Sequence, residues 1–212
     1  MMPSYMKSTF RIELELTDSQ RELLDTLQTT FAAACNALAP RVAEQRCWNR
    51  VTLHHLSYHE LRTTFPDLGS QMACNAIYAV CRAGRLVYQH PKSPANVNRL
   101  GAAPLPRLKF NAQSPVYFDR HTLSLKAREV SLFTQGGRIR CPISLSPQMQ
   151  RRLITAKLRE VLLTRQDGTY ALTFVLADPP DAPAPTAPDA GTWPEHLSVL
   201  GAHDPAAEPR LN

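Results

Sequence analysis

Residues 9–38 read TFRIELELTDSQRELLDTLQTTFAAACNAL, and two hydrophobic periods meet inside them. Phe10, Ile12, Leu14 and Leu16 alternate with Arg11, Glu13 and Glu15, the period of two expected of a strand with one face inward. The alternation stops at Thr17. Thr17-Asp18-Ser19-Gln20 has the spacing of a capping box, in which a threonine oxygen and a glutamine side chain satisfy the free amides of a new helix. Beyond it Leu23, Leu24, Leu27, Phe31, Ala34, Cys35 and Leu38 recur at helical spacing. This predicts an amphipathic helix of about six turns, ended or kinked by Pro40.

Working outward, a shorter helical pattern runs from Ser57 to Thr64, Phe65–Ser70 reads as a turn, and a third helix extends to about Tyr88. On it Ala73, Ala76, Ile77, Val80, Gly84 and Val87 share one face and leave Asn75, Arg82 and Arg85 outside that face. Residues 89–106 mix Pro, Asn, Ser and Gly with little periodicity and read as a loop. The period then returns to two, in the pairs Leu108 and Phe110, Val116 and Phe118, Leu123 and Leu125, Val130 and Leu132, and Ile139 and Cys141. Gly136-Gly137 and Asp167-Gly168 are hairpin signals, because tight turns need positive backbone angles that glycine supplies freely.

The expected fold class is therefore α+β. A first strand over 8–16 is followed by a helical insertion over 17–90 and a linker loop over 91–106. The strands of 107–177 then close a small antiparallel barrel with the first one, and 178–212 form a disordered tail. Eight prolines fall between 179 and 209 among alanines and acids, a composition that buries too little surface to offset ordering entropy.

The 212 residues carry a formal charge of +6. Six acids and one base (Arg210) lie in 178–212, so that segment is net −5 and residues 1–177 carry +11. A basic body of this kind attracts polyanions, because each cation that neutralises a phosphate releases a condensed counterion. The five cysteines are an odd number without any CxxC pair, as in reduced cytosolic proteins. No signal-peptide core and no run of about 18 apolar residues is present, so neither secretion nor a membrane partner is expected.

Little in the chain suggests catalysis. His55 and His59 stand four apart on an expected helix, but His59-Glu60 is not HExxH and no third ligand has suitable spacing, so no metal and no cofactor is expected. Gly136-Gly137 lacks the Gly-Lys-Ser/Thr of a phosphate loop, and there is no Gly-x-Ser-x-Gly elbow. What the chain does offer is the combination that single strands and phosphates require, basic side chains interleaved with flat ones. In the strand region these are Arg107, Lys109, Tyr117, Arg120, Lys126, Arg128, Arg138 and Arg140; in the helical region, Arg46, Arg50, Asn75, Arg82 and Arg85.

Four segments taken in order, 9–38, 65–85 (FPDLGSQMACNAIYAVCRAGR), 108–143 (LKFNAQSPVYFDRHTLSLKAREVSLFTQGGRIRCPI) and 159–179 (REVLLTRQDGTYALTFVLADP), resemble the amino-terminal portion of the TnpB family. These are transposon-encoded RNA-guided nucleases related to the type V CRISPR effectors, and the likeness covers roughly four-fifths of the chain. It implies a wedge domain, a barrel of oligonucleotide-binding type, interrupted by a helical recognition domain. It also implies a guide RNA held by backbone and shape, target double-stranded DNA reached through that RNA, and a prokaryotic cytoplasmic location, nucleoid-associated when on DNA.

The family's nuclease uses three carboxylates to hold catalytic metals, the first in a hydrophobic-Gly-x-Asp-x-Gly stretch. Here Leu200-Gly201-Ala202-His203-Asp204-Pro205 offers His203 where the aspartate belongs, with Asp204 displaced by one. The other two carboxylates and the family's zinc-binding cysteine pairs have no counterpart in these residues. The expectation is binding without cleavage, as a regulator or as the nuclease-lacking part of a split effector whose nuclease is a separate subunit. Two other readings stand beside it: a protein-interaction subunit whose basic face docks on an acidic partner, and a degenerate transposon fragment without activity.

Overall fold

The computed structural model describes residues 7–126, 128–177, 194 and 196–200 as a mixture of helices and antiparallel sheets. Strand β1 (Lys7–Glu13) leads into helix α1 (Asp18–Glu44), and α2 (Arg50–Thr64), α3 (Ser70–Gly84) and the short α4 (Val97–Leu100) follow before any second strand. Then come β2 (Arg107–Phe110), β3 (Val116–Phe118), β4 (Leu123–Lys126), β5 (Glu129–Thr134) and β6 (Gly137–Pro142). Helix α5 (Pro147–Thr155) precedes the long hairpin β7 (Lys157–Gln166) and β8 (Thr169–Ala177), and β9 (Leu197–Leu200) is the last described strand.

The strands form a four-stranded sheet in the order β1-β8-β7-β3, a three-stranded meander β4-β5-β6 and a pair β2-β9. No ladder closes them into a barrel among the described residues. The reason lies at Asp119. Its carboxylate accepts from the amides of His121 (3.0 Å) and Thr122 (3.1 Å), a side-chain-mediated turn that ends β3 and carries the chain out of the first sheet into the second. Pairing of β1 with β8 nevertheless joins the first strand to the end of the long hairpin, with Phe10 directly opposite Phe174 and the two rings stacked 4.9 Å apart.

The start of α1 is as the spacing predicts. The Gln20 amide donates to Thr17 Oγ1 at 3.3 Å and the Thr17 amide donates to Gln20 Oε1 at 3.1 Å. Pro40, however, neither ends nor breaks the helix, which runs on to Glu44. A proline inside a helix costs about 3 kcal/mol, and the burial of Leu38, Ala39, Val42 and Ala43 around it offsets that cost. Helix α2 also begins seven residues before the expected Ser57, because Asn49 Oδ1 accepts from the amides of Val51 (2.9 Å) and Thr52 (3.1 Å) and caps it.

Two features lock helices onto strands. Asn36 on α1 faces Phe110 of β2, where its Nδ2 donates to the Phe110 carbonyl and its Oδ1 accepts from the Phe110 amide, both at 2.8 Å. The side-chain amide thus stands in for a neighbouring strand. Asn36→Leu would strand both main-chain groups of the buried Phe110, and a loss of about 2 kcal/mol is expected in denaturant unfolding. At the β5–β6 turn, a Cβ on Gly136 would lie 2.6 Å from Leu23 Cδ2, so the hairpin abuts α1 there and a larger residue would require the Leu23 side chain to shift. The other hairpin has Asp167 and Gly168 at φ 49° and 78°, the two positive angles that a tight two-residue turn demands.

Where the sequence suggests a structureless tail, Leu197–Leu200 instead pairs with β2, in the register Arg107 to Leu200 and Phe110 to Leu197. Apart from Pro194 and His196, the rest of 178–212, including Gly201–Pro205, lies outside the described residues.

Candidate nucleic-acid interface

Asn75, Tyr78, Arg82 and Arg85 recur at three, four and three residues, so α3 and the turn after it present them along one stripe. This stripe meets β3 and β7. Asn75, expected outside the buried face, is only 5% exposed, and its Nδ2 donates to the Tyr117 carbonyl at 3.0 Å, clamping α3 to β3. Arg82 donates from Nη1 to Glu160 Oε1 at 2.6 Å, and the Tyr78 hydroxyl donates to the same oxygen. Glu160 is 10% exposed, and its other oxygen, Oε2, has no partner among the described residues. Burial, and then the bond to Glu160, push the Tyr78 hydroxyl's pKa up, which keeps it a donor at neutral pH.

A bulge brings Glu160 here together with its neighbour. Successive strand residues ordinarily face opposite sides, but the β7–β8 register slips between Leu158 and Glu160. The extra residue, Arg159, lets Arg159 and Glu160 line the same depression. The Arg50 guanidinium sits 5.6 Å over the Tyr78 ring, a cation–π distance. The Tyr78 and Tyr117 rings meet edge to face at 5.5 Å.

Three depressions share walls here and form one groove. The first, about 480 Å³, is walled by Arg82, Arg85, Tyr78 and Tyr117. The second, about 170 Å³, shares both tyrosines and adds Arg50, Asp119, Arg159 and Glu160. The third, about 740 Å³, shares Asp119, Arg159 and Glu160 and adds Arg120 and His121. Five arginines therefore face two carboxylates along the groove. Both acids are engaged: Asp119 holds its own turn and accepts from Gln71 Nε2, and Glu160 holds Tyr78 and Arg82. The surplus of positive charge is what a polyanion would meet.

The remaining candidates fall elsewhere. Lys126, Arg128, Arg138 and Arg140 are exposed on or beside the outer face of the β4-β5-β6 sheet. Arg138 donates to the His121 carbonyl at 3.2 Å, which ties that face to the Arg120 end of the groove. Arg107 and Lys109 point outward from β2, with Arg107 paired to Glu44 at 3.3 Å. Arg46 is a brace rather than a contact residue, because its guanidinium donates to the carbonyls of Gly101 and Ala103, both at 2.6 Å.

Sequence reasoning missed Tyr78, Arg159 and Glu160. Tyr78 was within reach, since it completes the three-and-four stripe of Asn75, Arg82 and Arg85. The other two depend on a bulge that no period announces. Among the described residues no group of three His, Cys, Asp or Glu is placed to hold a metal ion. All five cysteines are free, and among the described residues no helix is long and apolar enough to cross a membrane.

His196 closes one end of the first depression, and its carbonyl accepts from the Asn111 amide and the Ser114 hydroxyl, both at 3.2 Å. Burial holds the imidazole's pKa below its ordinary 6.5. A state in which the His196–Leu200 segment has left β2 (open) therefore takes up a proton more readily than the state in which it is docked there. The contribution of His196 to docking is intact above about pH 6.5 and is lost as pH falls through the lower docked value. Exchange of the Asn111 amide, which donates to the His196 carbonyl, corrected for intrinsic rate, should quicken as pH falls below about 6.5. His196→Gln should flatten that change.

No model of a known protein family matches the chain, and no curated protein matches it.

Proposed function

We propose that these residues form a nucleic-acid-binding module that grips RNA in the groove between α3, β3 and β7 and does not itself cleave it. The observation that carries this reading is convergence. Arg50, Arg82, Arg85, Tyr117 and Arg120, drawn from three separate segments of the chain, line one continuous groove. Cations set among flat rings are what a phosphate backbone with unstacked bases requires.

The finer reading is a TnpB-like protein, with the three sheets as a wedge of oligonucleotide-binding type and α1–α4 as its recognition insertion. Two things support it: the sequence resemblance, and the element order in which four helices separate β1 from its companion strands while β1 pairs with β8. In this reading a guide RNA is the resident partner, target duplex DNA is engaged through base pairing to that guide, and the protein acts as a regulator or with a nuclease on a separate chain.

Salt titration tests the binding itself. For a single-stranded RNA the logarithm of the association constant should fall linearly with the logarithm of salt at about −0.7 per phosphate contact, or about −3.5 for five arginines. Binding that ignores salt, or no binding, overturns the reading.

A further inference from the structure

We infer that the depression of about 480 Å³ is a base-binding pocket, which takes one unstacked nucleobase of the bound strand while Arg82 and Arg85 hold the flanking phosphates. This rests on the nucleic-acid reading above and adds to it a place for a base.

The pocket has the two-part chemistry of a nucleotide site. Its floor is apolar, built by Phe110 and Pro115 with Leu162 and Leu197, and its rim carries Arg82, Arg85 and His196. Its size lies within the roughly 300–1,000 Å³ typical of small-ligand sites. A flat heteroaromatic ring gains by leaving water for such a floor, and its phosphates gain by meeting the rim.

The charges are placed to be used. Arg85 is exposed and makes no ion pair among the described residues. Arg82 spends Nη1 on Glu160 and keeps a side chain 44% exposed. The neutral imidazole of His196 offers one donor and one acceptor to a base edge.

A peptide strand fits less well. Strand addition needs a free sheet edge, and the carbonyl of Tyr117 on β3 is already taken by Asn75. A purely apolar ligand would leave two guanidinium groups at the rim without purpose.

The test compares two probes on the full chain at one salt concentration: oligouridylate of about 16 nucleotides and the same ribose-phosphate chain without bases. The pocket predicts that the based probe binds at least about 5-fold more tightly. Ala83→Phe, which projects a ring into the cavity, should abolish that preference and leave binding of the baseless chain unchanged. Equal binding of the two probes, or a preference that survives Ala83→Phe, overturns the pocket while the groove stands. Failure of the wild-type protein to bind either probe overturns the groove as well.

A measurement on the unmodified protein guards against a variant that fails to fold. Oligouridylate carrying 4-thiouridine should crosslink to the peptides that contain Phe110–Tyr117 or His196–Leu197. Crosslinks confined to other peptides contradict the pocket.

Discussion

Changing Arg50, Arg85 and Arg120 together to alanine is expected to weaken single-stranded RNA binding on the order of 100-fold near physiological salt and to flatten the salt slope by about 2. Stability should stay within about 1 kcal/mol of wild type. These three are chosen because the fold does not lean on them. Arg50 rests on the Tyr78 ring, and among the described residues Arg85 has no ion pair and the Arg120 guanidinium donates to the His121 imidazole at 3.3 Å. Arg82 is left in place because its removal would leave the poorly exposed Glu160 carboxylate with Tyr78 alone, its Oε2 having no partner among the described residues. Arg46→Ala is the control. It should loosen the turn after α4 at Gly101 and Ala103 that Arg46 braces and lower stability, with the salt slope unchanged, since it lies outside the groove. If the triple variant binds RNA as the wild type does, the groove is not the interface.

Replacing Phe174 by alanine is expected to cost about 3–5 kcal/mol in urea or thermal unfolding. Phe174 is fully buried on β8, lies opposite Phe10 of β1 on one side and Val161 of β7 on the other, and stacks on the Phe10 ring. Truncation opens a cavity at the centre of the four-stranded sheet and removes the ring stack between β1 and β8. Because β7 carries Arg159 and Glu160, RNA affinity should fall with the folded fraction. Phe174→Leu keeps most of the volume and should cost less than half as much. An alanine variant that unfolds at the wild-type urea midpoint would show that β8 is not the organising strand.

Much of this fold is legible in the sequence because local and global preferences agree. The alternation of Ile12 and Leu14, the Thr17–Gln20 box and the Asp167-Gly168 turn each state one structure, and packing does not oppose them. The two failures have separate causes. Pro40 stays helical because its neighbours are buried. The start of α2 hides because Leu53, Ser57 and Leu61 are its only buried residues, a stripe too narrow to register as a period.

The site was half visible. Basic residues can be picked from composition and face, yet whether a cation is a contact or a brace depends on which carbonyl or carboxylate lies opposite, as Arg46 and Arg82 demonstrate. The bulge at Arg159 and the return of Leu197–Leu200 to β2 depend on partners more than 10 residues away along the chain; composition alone suggests disorder for the second.

The most direct test is to purify the protein from a host carrying its flanking locus, in moderate salt, beside the Arg50, Arg85 and Arg120 triple variant, and to sequence the RNA that stays bound. One discrete RNA species retained by the wild type and lost from the variant is the expected result, and a carboxylate-bearing chain that copurifies would make this the binding half of a split effector. No RNA, or mixed cellular RNA that washes from both proteins alike as salt rises, would contradict the account.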